Sequence, residues 1–293
     1  MGGRVTYALA AESLGRRYRR DVWGLRECTI QVPAGRVVAL VGPNGSGKTT
    51  LLNMAAGLLA PSTGTVQVVG ASPQKRLDRI GYVAQDAPLW PRLRVEDVIE
   101  IGRCLNPRFD ARMALDRIRQ LGIPTRARVN SISGGQRAQV ALTLVLAKHP
   151  DLMLLDEPMA NLDPLARREF LTSMFTSCID TGTAVLFSSH VVAELERICD
   201  YLIVLRRGRV SLAGDVDELR RTHRVVTGPI GWRSSDSRRV INEWSGGGRT
   251  NALVRSGSSP STGPGLEEAA PTFDELVLGY LEEDEPAHQE ALT

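Results

Sequence analysis

This 293-residue chain has only four cysteines, Cys28, Cys104, Cys178 and Cys199, set far apart with no C-x-x-C pair. That spacing argues against a disulfide framework and a zinc site, and a reducing cytosol is the simplest setting for it. No stretch approaches the ~18 consecutive apolar residues that a membrane span needs. The beginning, Met1 to Tyr7, has no continuous apolar region suited to secretion, so any membrane role must be borrowed from another chain. A large charge of one sign is also missing. With 36 basic and 33 acidic residues the formal charge is +3, which indicates neither a nucleic-acid footprint nor an acidic coat. What is present is a hydrophobic fraction of 42%, enough to bury a full core and consistent with one large domain plus an appendage.

The most informative stretch is Gly42-Pro43-Asn44-Gly45-Ser46-Gly47-Lys48-Thr49-Thr50, placed directly after the apolar run Val37–Val41. It has the Walker A spacing, and its context reads as strand, glycine-rich loop and then a helix beginning at the loop. That geometry aims backbone N–H groups and the positive end of a helix at a phosphate. Lys48 reaches outer phosphates in such a loop, and Thr49 holds Mg²⁺ through its hydroxyl.

Before the loop, residues 4 to 36 carry short strand-like segments, with Tyr18 and Trp23 as two aromatics either of which could stack on a purine. After it, Arg79–Ala84 reads as a core strand ending at Gln85, where an amide faces the ligand end of an α/β sheet. Taken alone, Gln85 reads as a loop residue. From 86 to 130 the period becomes helical, which suggests a helical insertion. Ser133-Gly134-Gly135-Gln136 then opens another helix, with Ser133 as its cap and two glycines leaving that helix end open. On its own this is a capped structural helix. The apolar strand 152–155 delivers Asp156 and Glu157, adjacent carboxylates whose side chains should point opposite ways and so do different work. Asp156 suits Mg²⁺, and Glu157 suits a proton taken from an attacking water. The strand 184–189 ends at His190.

Taken together these segments resemble the nucleotide-binding subunit of ATP-binding-cassette (ABC) transporters over roughly residues 4 to 220. The order matches: Walker A at 42–50, Gln85, the signature Ser133–Gln136, Asp156, Glu157, the turn at Leu162-Asp163, and His190. The signature opens with Ile132 where the family usually has Leu. The resemblance implies an α/β P-loop NTPase fold of ABC type, with a parallel core sheet, an antiparallel β subdomain and an inserted helical subdomain near 86–135. It implies ATP and Mg²⁺ as ligands and a dimer in which one copy's phosphate loop and the other's signature sandwich ATP. By that resemblance Tyr18 stacks on adenine, and Asn44, Gly45, Ser46, Gly47, Lys48, Thr49 and Thr50 hold phosphates or metal. Ser133, Gly134, Gly135 and Gln136 close the site from the partner, and Asp163 links the two sites. Gln85 senses metal and water, Glu157 is the base, and His190 holds the γ-phosphate. The helical segment docks on a separate integral-membrane permease, which places the chain in the cytoplasm at the inner face of the membrane, with no nucleic acid expected.

Beyond the ATPase domain, 4–221, the pattern predicts a small accessory β region at 222–255, a linker at 256–271 and an amphipathic helix at 272–283. That helix opens with capping-box spacing and groups Phe273, Leu276, Val277, Tyr280 and Leu281 on one face. The alternative class, soluble ABC-type ATPases working on nucleic acid or ribosomes, calls for a long coiled coil between the Walker motifs or for two cassettes, and neither is here. A GTPase calls for Asn-Lys-x-Asp, also absent. The segments at 106–110 and 162–170 resemble bacterial exporter-type ATPases, so export is the expected direction.

Overall fold

The computed structural model describes residues 7–85, 88–160, 162–189, 192–196, 198–232, 240–255 and 265–282. The predicted His190 and the acidic end after Glu282 lie outside them.

The centre is a six-stranded sheet built from β3 (Val37–Val41), β5 (Ile80–Val83), β6 (Leu152–Asp156), β7 (Ala184–Ser189), β8 (Tyr201–Arg206) and β9 (Arg209–Asp215). Its order is β5-β6-β7-β3-β8-β9, with β9 antiparallel to β8 and the other pairs parallel. Parallel strands covered on both faces need apolar side chains at every position, and β6 and β7 are buried throughout. Alternation sorts those side chains. Val38, Leu40, Leu152, Leu154, Leu186 and Ile203 face one core, while Ala39, Val41, Met153, Leu155, Phe187 and Val204 face the other.

The first core is closed by α1 (Lys48–Ala55) and by an antiparallel sheet in the order β2-β1-β4, from β1 (Tyr7–Arg19), β2 (Val22–Pro33) and β4 (Thr63–Val68). The two leading strands are much longer than the sequence segments suggested, because β1 and β2 pair along their whole length through a series of register shifts. The second core is closed by α4 (Gly134–Ala147) and α5 (Pro164–Thr181). A separate cluster joins α2 (Val95–Leu105) and α3 (Ala111–Gln120) to α4 through Val95, Ile99, Ala114, Ile118 and Val140. A short α6 (Val192–Leu195) follows β7.

After α7 (Val216–Thr222) comes a four-stranded antiparallel sheet in the order β11-β12-β10-β13, from β10 (His223–Pro229), β11 (Val240–Gly246), β12 (Arg249–Arg255) and β13 (Glu267–Ala269). The predicted linker to 271 is therefore corrected: Glu267–Ala269 pair with β10 and cover an edge that would otherwise stand open. The last helix, α8 (Phe273–Glu282), turns its apolar face inward. Phe273, Leu276, Val277 and Tyr280 are buried in the same cluster as Leu195, Leu202 and Val204 of the central body. Its capping box is formed as the spacing predicted, with Glu275 N–H donating to Thr272 Oγ1 (3.1 Å) and Thr272 N–H to Glu275 Oε2 (2.8 Å). All four cysteines are free, three of them buried. Among the described residues no helix is long and apolar enough to cross a membrane.

Candidate functional site

The phosphate loop joins the end of β3 to α1, and close packing dictates its glycines. A Cβ on Gly42 would stand 2.4 Å from the Leu205 carbonyl oxygen, and one on Gly47 would stand 2.4 Å from that of Gly24. Gly47 is also the N-cap of α1, at φ 105°, where an L side chain is strained. The first turn of α1 holds no acidic residue, so its orphan N–H groups and the positive end of the helix dipole are unopposed from within. Ser46 Oγ is buried and lacks a hydrogen-bond partner. A cradle of unmet donors at a positive helix end fits a phosphate chain.

Lys48 is only 5% exposed. Its ammonium donates to the carbonyls of Gly42 (2.7 Å) and Pro43 (3.3 Å) and lies 3.5 Å from Glu157 Oε1. Asp156, buried at the end of β6, accepts from Ser188 Oγ at 2.9 Å, and the same oxygen accepts the Glu157 backbone N–H at 2.9 Å. One fully buried hydroxyl on β7 thus ties down both carboxylate positions. Glu157 has φ 44°, in the left-handed region, which turns its side chain away from strand geometry; such backbone strain is held by the contacts around it. The two carboxylates have different partners, Asp156 the Ser188 hydroxyl and Glu157 the Lys48 ammonium. Next to them Tyr82 donates to Asn53 Oδ1 (3.0 Å), and burial, with a smaller contribution from the Asp156 charge, pushes its hydroxyl up to about 12.

A cleft of about 800 Å³ opens over these groups, lined by Tyr18, Trp23 and Gly24 on one side, the loop from Asn44 to Thr50 on its floor, and Gln85 and Glu157 opposite. That volume lies in the range of small-molecule sites. Both candidate aromatics reach it. Trp23 lies beneath two guanidinium groups, Arg17 and Arg26, each 5.8 Å from its ring centre. Tyr18 is 52% exposed and its hydroxyl meets Thr50 Oγ1 at 3.1 Å. No group of three His, Cys, Asp or Glu suited to a metal occurs among the described residues. A cation here would rest on the Thr49 hydroxyl, the Gln85 amide and Asp156, an oxygen-rich set of the kind Mg²⁺ accepts together with water and phosphate. A second cleft of about 540 Å³, lined by Asp110, Arg117, His149 and Thr183 among others, contains no part of the loop.

The signature residues are not in this cleft. Ser133 caps α4 in a reciprocal box, accepting the Gln136 N–H (3.1 Å) while its own N–H donates to Gln136 Oε1 (3.0 Å). Gly135 packs beside α5, where a Cβ would stand 3.1 Å from Ala166 Cβ. Asp163 caps α5, accepting from the N–H groups of Leu165 and Ala166 at 3.0 Å each. Gly135 and Asp163 share Ala166 as a neighbour, and neither they nor Ser133 line the cleft that holds Lys48 and Glu157.

Three residues that the sequence reading passed over complete the site. Gly24 is the wedge between Gly47 and Tyr18. Gly208 joins the hairpin to the loop, its carbonyl accepting from Arg26 N–H (2.7 Å) and its N–H donating to the Ser46 carbonyl (3.0 Å). Ser188 bridges the carboxylates. Gly208 carried a turn signal, whereas Gly24 and Ser188 carried none.

Comparison with known proteins gives a consistent result. The family described as ABC transporter matches residues 25–160. An uncharacterized ABC transporter ATP-binding protein, YxlF of Bacillus subtilis, is 34% identical over 73% of this chain and 72% of its own length. The thiamine import ATP-binding protein ThiQ of Salmonella choleraesuis is 38% identical over 65% of this chain and 85% of its own. Among solved structures, CbiO1 of Clostridium perfringens, part of the ABC transporter complex CbiONQ, aligns at 27% identity with a TM-score of 0.64, covering 73% of this chain and 90% of that one. A dimeric ATP-binding cassette bound to ADP and phosphate aligns over 71% of this chain and 98% of its own with a TM-score of 0.65, and at 23% identity that likeness speaks to the fold alone.

Proposed function

Because the chain belongs to the ABC transporter family, as an ATP-binding, ATP-hydrolysing subunit of a membrane transporter, we propose that its cleft is half of an ATP site completed by a second copy. The observation that carries this reading is the separation of two phosphate-seeking helix ends. The α1 end, with Lys48, shares the cleft with Glu157, while the α4 end, at Ser133, Gly134 and Gly135, lies outside it. A second copy in the opposite orientation brings its Ser133–Gln136 over this chain's loop.

In that site the base stacks on Tyr18, and the N–H groups from Asn44 to Thr50, apart from that of Ser46, which donates to the Pro43 carbonyl (3.1 Å), take the phosphate oxygens. Lys48 exchanges the carbonyls of Gly42 and Pro43 for the outer phosphates, and in moving it frees the Glu157 carboxylate from its 3.5 Å contact. Thr49, Gln85 and Asp156 hold Mg²⁺, which supplies charge neutralisation on the phosphates. Glu157 takes the proton of the attacking water at its carboxylate oxygen, and Ser188 keeps that backbone in place. His190 holds the γ-phosphate, and Asp163 connects the two sites. ATP closes the dimer, and the helical region transmits closure to a separate permease that holds the chain at the inner face of the membrane. Direction and cargo belong to that permease. The expectation of export rests on the 106–110 and 162–170 segments and draws no support from ThiQ, which is named for import.

The test is Glu157→Gln. ATP binding is expected to persist, turnover to fall by about 10²–10⁴, and gel filtration with ATP to show a trapped dimer. Wild-type turnover in this variant would remove Glu157 as the base.

A further inference from the structure

Tyr18 is held in place more firmly than an exposed side chain on a hairpin ordinarily is. Its hydroxyl is fixed by Thr50 Oγ1 at 3.1 Å, at the end of the phosphate loop. The Cε2 edge of its ring rests on Gly24, where a Cβ would stand 2.5 Å away. The third contact comes from Arg16, whose guanidinium carbon lies 5.6 Å from the ring centre. That guanidinium is anchored, since its Nη1 donates to the carbonyl of Ala60 at 3.0 Å, on the segment that follows α1. Its Nε is buried without a partner, so part of the cation is desolvated. Arg16 therefore ties the hairpin to the first helix at the far end of the same unit that carries the phosphate loop.

We propose that Arg16 is a positioning residue for the nucleobase: anchored on Ala60, it backs the Tyr18 ring and fixes the distance between base platform and phosphate loop. This rests on the reading that Tyr18 stacks on the base. A cation against one face of an aromatic ring restricts the ring's rocking about its side-chain torsions, so a purine meets a preset surface and less ordering remains to be done on binding. The contribution depends on the base, because Arg16 does not line the cleft that holds the loop.

The experiment measures equilibrium binding to the full-length chain of two probes, ATP and inorganic tripolyphosphate, which shares the phosphates but has no base. Arg16→Ala is expected to weaken ATP about two- to fivefold, which at 1.36 kcal/mol per decade matches the ~0.5–1 kcal/mol of an exposed cation–π contact. Tripolyphosphate affinity is expected to stay within error, which also reports an intact loop. Arg16→Lys, which keeps the cation, is expected to bind ATP within twofold of wild type. In a double-mutant cycle, Arg16→Ala is expected to add nothing once Tyr18→Ala is present. An equal loss for both probes, a full loss with Lys, or an undiminished loss in the Tyr18→Ala background would overturn the proposal. If Tyr18→Ala itself leaves ATP affinity unchanged, the stacking reading fails, and the role of Arg16 fails with it.

Discussion

At the scale of residues, much of the site's precision comes from one serine. Ser188 Oγ donates to Asp156 and accepts from the Glu157 N–H, both at 2.9 Å, and it is fully buried. Removing it leaves the buried Asp156 carboxylate short of a donor, at a cost of about 1–3 kcal/mol, and takes away the hydroxyl that accepts from the part-buried Glu157 N–H. Ser188→Ala is therefore expected to lower the melting temperature by several degrees and to reduce ATP turnover more than ATP affinity, because the strained Glu157 backbone loses its tether. Calorimetry together with kcat and KM measurements checks this, and an unchanged kcat would dismiss the tether. The two glycines that matter most here, Gly24 and Gly47, act as a touching pair, which explains why only Gly47 was legible: its role is written in a contiguous motif, whereas that of Gly24 depends on a strand arriving from elsewhere.

At the scale of elements, the instructive unit is the tail. Its helix was legible from capping spacing and apolar period, whereas the surface that receives its apolar face, Leu195, Leu202 and Val204, is given only by the fold. Each of its large buried side chains contributes about 1.5–3 kcal/mol of transfer free energy, so the helix is a structural part of the body. The joint beside it is polar. The His223 ring, buried at the start of β10, has Nδ1 2.9 Å from the Leu219 carbonyl, which only an N–H can satisfy; Nε2 is then the acceptor for the Tyr280 hydroxyl at 2.8 Å. Arg255 also donates to that hydroxyl, at 3.3 Å. Burial holds the imidazole below its ordinary value of 6.5, with the Arg255 charge acting the same way. A histidine kept neutral when folded takes up its proton more readily when unfolded, so its contribution is complete above about pH 6.5 and is lost as pH falls below that. Thermal melts between pH 7.5 and 5.5 are expected to show a drop that is smaller in His223→Gln. Equal drops in the two proteins would assign the effect elsewhere.

At the scale of the whole molecule, a site divided between copies can be tested by mixing. Lys48→Ala and Ser133→Arg chains should each be inactive alone, yet a mixed dimer contains one wild-type loop facing one wild-type signature. One of its two sites is intact, so a mixed dimer is expected to carry up to about half of the wild-type dimer's activity, and an equal mixture pairing at random about a quarter. No recovery would argue against a composite site. The chemistry of the loop, the paired carboxylates, the capped α4 terminus and the parallel core were all legible in the sequence by itself. Each depends on neighbours within a few residues: a glycine's backbone freedom, a cap's side-chain reach, or the alternation of apolar residues along a buried strand. Tertiary structure alone decided which of these local units meet. Sheet order sets β7 beside β6, so that Ser188 stands level with Asp156. The hairpin arrives over the loop, so that Gly24 and Tyr18 close the cleft. The open edge of β10 draws Glu267–Ala269 into a sheet, although that composition reads as a linker. Those contacts join residues far apart in the chain, and the free energy that selects them comes from packing and from satisfying buried polar groups, neither of which is encoded in any single stretch of sequence.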